Sequence, residues 1–105
     1  PMVYPSHFPN GWYGMANPAE KPYDVIHRSM TKAVERVVAM GEDPDKLRPW
    51  LQDFNLGAVY TKELVRDQIQ ATYDTGLDSW LMWDPKNIYT RTAYKTDSEL
   101  LTEAQ

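Results

Sequence analysis

Residues 48–54 read Arg48-Pro49-Trp50-Leu51-Gln52-Asp53-Phe54 (RPWLQDF). The run reads as a short buried strand that ends in polar and acidic groups, with an indole close by. Strand alternation puts Leu47, Pro49 and Leu51 on one face, suited to packing under helices, and Arg48, Trp50 and Gln52 on the other. An ordinary core strand has no need for Arg, Gln and Asp in one run, whereas a site built at a strand end does. The same pattern occurs at Val3-Tyr4-Pro5-Ser6-His7 and at Ser79-Trp80-Leu81-Met82-Trp83-Asp84. Three such strand ends point to one face of an α/β protein that binds something polar.

Working outward, residues 9–21 are rich in Pro, Gly and Asn and read as a loop. A helix is expected over 22–40, with Pro22 in its first turn and Ile26, Met30, Ala33, Val34, Val37 and Val38 at helical spacing. Gly41 is placed to stop it as the C′ residue. Thr61 is a good N-cap for a second helix over 62–75, with Val65, Ile69 and Tyr73 on one stripe and Gly76 as its stop. Strands are expected near 2–6, 47–53 and 78–83, and residues 96–105 as a short terminal helix or a frayed tail. Strands alternating with helices imply parallel pairing, with the ligand side at the carboxyl ends of the strands. His7, Asp53 and Asp84 all fall there. A polar second face on a buried strand fits the inside of a barrel near its mouth better than an open sheet. The expected fold is therefore α/β, a partial (β/α)8 TIM barrel of three parallel βα units spanning residues 1–95.

Composition narrows the function classes. At 105 residues the chain supports one domain. A net charge of −4, with 11 scattered basic residues, argues against a nucleic-acid binder. No apolar run approaches the roughly 20 residues of a membrane-spanning helix. Without Cys there are no disulfides, thiolate metal sites or Cys nucleophiles. His7 and His27 show no ligand spacing, so no metal is expected, and no phosphate loop or nucleophile elbow is present. The chain opens directly in strand-like sequence, as a cut through a larger domain would leave it.

The segments PMVYPSHFPNGWYG, NPAEKPY, LRPWLQDF, VRDQIQATYDTGLDSWLMWD and NIYT resemble, in the same order and with similar spacing, the glycosyl hydrolase domain family DUF4015 of bacterial proteins. The resemblance covers residues 1 to about 90 and names a (β/α)8-barrel family. It implies a C-terminal fragment holding the sixth, seventh and eighth strands of a barrel that takes about 250 residues. It also implies hydrolysis of glycosyl bonds in a carbohydrate, most plainly a polysaccharide, without a cofactor, in an extracytoplasmic or cell-envelope setting. Asp84 stands where the family more often has Asn, so a neutral amide would serve as well there.

Two carboxyl groups carry glycoside hydrolysis. Asp53, ending the central strand, is the first candidate, against the alternatives of a loop-fixing Asp or an ion-pair partner of Arg48. Asp84, on the neighbouring strand, is the second, against an Asp-Pro turn opening. His7, Tyr4, Arg48, Trp50, Gln52 and Trp83 are the candidate substrate-binding residues. His7, Arg48 and Gln52 would serve as hydrogen-bonding groups, and Tyr4, Trp50 and Trp83 as stacking platforms. A non-catalytic carbohydrate-binding remnant is the alternative function. Open sheet edges would also favour self-association of such a piece.

Overall fold

Both helices form where they are expected, although Tyr73 of the expected second-helix stripe is exposed and Gln68, Ala71 and Thr72 are buried with Val65 and Ile69 instead. In a computed structural model, which describes residues 1–86, 88–90, 93 and 94, α1 spans Pro22–Ala39 and α2 spans Lys62–Asp74. Pro22 opens α1, where its missing N–H costs nothing. Gly41, at φ +76°, closes it with two bonds, from its own N–H to Val38 O and from Glu42 N–H to Val37 O. That is a Schellman stop, and it needs a residue tolerant of the left-handed region. Thr61 caps α2 by accepting from Leu64 N–H at 3.4 Å.

The sheet departs from expectation. Among the described residues two strands form, β1 (Trp50–Gln52) and β2 (Leu81–Trp83), paired in parallel in the register Trp50↔Leu81, Leu51↔Met82 and Gln52↔Trp83. The three-unit partial barrel is thus not the fold of this chain, which has two helices and a two-stranded sheet among the described residues. The segment expected as a strand over 2–6 makes one isolated parallel bridge, Met2 to Trp50, and then turns into a 3-10 turn at Pro5–His7. Proline explains the loss. Pro5 has no N–H to extend a ladder, and its ring sits at the start of that turn. Both formed strands are also shorter than expected. Pro49, which has no N–H to donate, precedes β1, and Asp84-Pro85 turns the chain out of β2. The proposed terminal helix at 96–105 lies outside the described residues.

Strand alternation places Leu51 on the helix side, where it is fully buried with Val3, Val25, Ile26, Met30, Ile69, Ala71 and Leu77. The α1 stripe is buried at Ile26 and Met30 and thins towards Val38, which is exposed. Trp80 is partly buried and packs against this core. A second small cluster of Tyr60, Val65 and Ala93 lies beside α2.

The edge of β1 away from β2 is completed by a side chain. The N–H and C=O of Gln52 point the same way as those of Trp50, towards the N-terminal segment that has already turned away. Gln68, on α2, replaces the missing strand. Its Oε1 accepts Gln52 N–H at 2.8 Å and its Nε2 donates to Gln52 O at 2.7 Å. A primary amide presents the same donor and acceptor pair as a peptide, so a buried Gln can stand in for one.

Candidate functional site

The carboxyl ends of β1 and β2 open into a cleft of about 360 Å³. Asp53, Phe54, Asn55, Tyr60, Asp84, Lys86, Ile88 and Thr90 are among its lining residues. Asp53 and Asp84 follow the last paired residues, Gln52 and Trp83, so they end adjacent strands. Neighbouring strands run about 4.8 Å apart, which brings two carboxylates to one rim.

Asp53 is 4% exposed, and a carboxylate buried so far needs hydrogen bonds. It has three. Thr90 N–H donates to Oδ2 at 2.6 Å, Thr90 Oγ1 donates to Oδ1 at 2.7 Å, and the Tyr94 phenol donates to Oδ2. Burial, and then the bond to Asp53, pushes the Tyr94 phenol far above its ordinary value, so it remains a donor. The loop-fixing reading of Asp53 therefore has visible partners. The ion pair with Arg48 does not form: Arg48 is exposed, and the ion pair among the described residues is Lys46 with Glu42.

Asp84 is also buried, and its Oδ1 accepts Lys86 N–H at 2.8 Å. That bond closes the Asp-Pro turn. Tyr60 forms part of the cleft wall, its hydroxyl bonded to Ala19 O at 2.7 Å, and burial pushes its phenol up as well.

The remaining sequence candidates fall in different places. Tyr4 is buried and His7 exposed, and both rings meet Phe54, at 5.5 and 6.2 Å between centroids. This aromatic trio adjoins the cleft through Phe54. Gln52 is fully buried and its amide is already committed. Nε2 donates to Ser6 Oγ at 2.5 Å and to Phe54 O at 2.9 Å, and Oε1 accepts Ser6 N–H at 3.0 Å. Trp50 and Trp83 form an edge-on pair at 6.3 Å, with Trp83 43% exposed. Paired residues of a parallel ladder share a face, so these indoles lie on the face opposite Leu51. Asp53 and Asp84 lie on Leu51's side. The chain thus brings the carboxylates together and sets the indole pair across the sheet from them.

Thr90, Tyr94, Tyr60 and Gln68 were not singled out from sequence. Thr90 closes the NIYT segment, which offered a signal. Gln68 falls in the VRDQIQATYDTGLDSWLMWD segment of the same resemblance, but nothing local marks its partner 16 residues away, and Tyr94, 41 residues from its partner, offered no signal.

A family model described as "Putative glycosyl hydrolase domain" (DUF4015) matches residues 1–89. No curated protein and no solved structure matches the chain.

Proposed function

The chain belongs to the DUF4015 glycosyl hydrolase domain family, and from that premise we propose that its strand-end cleft serves the hydrolysis of O-glycosyl bonds in a polysaccharide. The observation that carries the reading is the buried carboxylate of Asp53 at the end of β1, with Asp84 ending the adjacent strand in the same cleft as the candidate second carboxyl group. Glycoside hydrolysis needs two carboxyl groups flanking the scissile bond, one to protonate the leaving oxygen and one to act on the anomeric carbon or its water. Neither needs a metal or cofactor. Tyr4 and His7, through Phe54, would extend the sugar-binding wall.

The chain taken alone is expected to be inactive. Its carboxylates stand on a two-stranded sheet, too slight a frame to hold a reacting geometry. The test therefore uses the full-length protein. Reducing ends released from polysaccharide are assayed for the wild type and for Asp53→Asn, which is expected to abolish release. Unchanged turnover would remove Asp53 from the mechanism.

One observation favours a second reading, non-catalytic glycan binding. The Trp50–Trp83 pair offers an exposed indole on the face away from the carboxylates, and flat aromatic faces suit sugar rings. Titrating oligosaccharides against Trp fluorescence, alongside the reducing-end assay, separates the two. Binding without product supports the second.

A further inference from the structure

We propose that Thr90 and Tyr94 are positioning residues that hold Asp53 as an aimed anion, making it the anionic member of the catalytic pair and never its proton donor. The inference rests on the hydrolase reading above and deepens it. Tyr94 lies beyond the matched residues 1–89 and Thr90 at their edge, and the family match gives neither a role.

The geometry is specific. Three donors meet the two oxygens of Asp53: a backbone N–H, an aliphatic hydroxyl and a phenol. An ionised carboxylate offers about four acceptor sites, and a protonated one gives up a site to its own O–H. That count leaves room for three donors in either form; what favours the ionised form is that each of these bonds is stronger to a charged acceptor than to a neutral one. Two bonds fall on Oδ2 and one on Oδ1, which leaves Oδ1 the freer oxygen to face an anomeric carbon or its water. Bonds to both oxygens also fix the plane of the carboxylate before substrate arrives, which is how a supporting shell contributes to rate.

Tyr94 is itself held in place. Its ring lies 5.7 Å from that of Trp80 and packs against both hydrophobic clusters. The raised phenol keeps it a donor across any ordinary working pH.

In the reaction the C1–O bond breaks and its electron pair leaves on the glycosidic oxygen. That oxygen takes a proton from the other carboxyl group. Water supplies the hydroxyl to C1, and its remaining proton restores the acid. Asp53 faces the positive charge that develops at C1.

The test is carried out in the full-length protein with nitrophenyl and dinitrophenyl glycosides and with polysaccharide. Values of kcat and KM are compared for the wild type, Asp53→Asn, Tyr94→Phe, Thr90→Val and Thr90→Ser, each checked for folding by circular dichroism. Loss of one charge-assisted bond is expected to lower kcat roughly 10- to 100-fold. For Tyr94→Phe and Thr90→Val this loss should come with little change in KM and be equal for both leaving groups. Thr90→Ser keeps the hydroxyl and should recover most of the rate. An active wild type with unchanged kcat in both Tyr94→Phe and Thr90→Val would overturn the proposal while leaving the hydrolase reading intact. So would a loss in Asp53→Asn that disappears with the better leaving group, because that pattern marks a proton donor. A wild type that turns over no glycoside overturns the hydrolase reading, and this assignment with it.

Discussion

Gln52 and Gln68 show how two neutral amides replace a missing strand. Gln68 satisfies both peptide groups of Gln52, and Gln52 in turn ties down Ser6 and Phe54. Removing Gln68 would strand a buried N–H and C=O, at roughly 1–3 kcal/mol each. We predict that Gln68→Met, which keeps the volume, destabilises the chain by about 2–4 kcal/mol in urea unfolding. A loss below about 0.5 kcal/mol, the usual size of a surface change, would show that water or another group satisfies Gln52. A second residue pair gives a pH signature. Tyr23 donates to Asp74 at 2.5 Å across the two helices. That bond, then Gln70 and His27, holds the Asp74 carboxyl below its ordinary 3.8, and the same bond leads in raising Tyr23 above 10.0. A lowered carboxyl adds stability above its unfolded value and loses it as pH falls through the folded one. A raised phenol adds stability below its unfolded value and loses it as pH rises through the folded one. Tyr23→Phe should therefore lower Tm between about pH 4 and pH 10, with the difference shrinking outside that window. A constant difference from pH 2 to pH 7 would contradict the linkage.

At the scale of elements, both helices were legible from sequence, and so were two parallel strands at greater length than they have; the third strand and the barrel were misread. Thr61 and Gly41 act at the helix ends where their chemistry placed them, because capping is decided within a few residues. Thr61→Ala is expected to cost about 1 kcal/mol in thermal unfolding. Gly57, in the loop after β1, is a less visible constraint. It sits at φ +71°, and a Cβ there would meet Ala19 Cβ at 3.3 Å. Gly57→Ala should cost about 1–2 kcal/mol from the left-handed backbone alone, and an unchanged Tm would show that the loop relaxes. Strand 2–6 failed for a reason also written in the sequence. It has the apolar run and polar exit of a strand, but Pro5, with no N–H, permits one bridge and no ladder.

At the scale of the whole molecule, the open sheet carries the consequence. The face away from the helices bears Met2, 74% exposed, and Trp83, 43% exposed, and among the described residues one edge of β2 is unpaired. Unpaired edges and apolar faces favour association. We predict that the isolated chain sediments with a concentration-dependent mass and that Trp83→Lys lowers it. A monomer at every concentration would count against this. Sequence alone determined the two helices, their caps, the loops between them and the family, since periodicity, capping and proline restriction act over a handful of residues. Only the tertiary structure decided that Gln68 completes β1, that Thr90 and Tyr94 grip Asp53, and that the indole pair lies across the sheet from the carboxylates. Those bonds join residues 16, 37 and 41 positions apart. A polar side chain's partner at such a distance is chosen by how the chain packs, which no local pattern records.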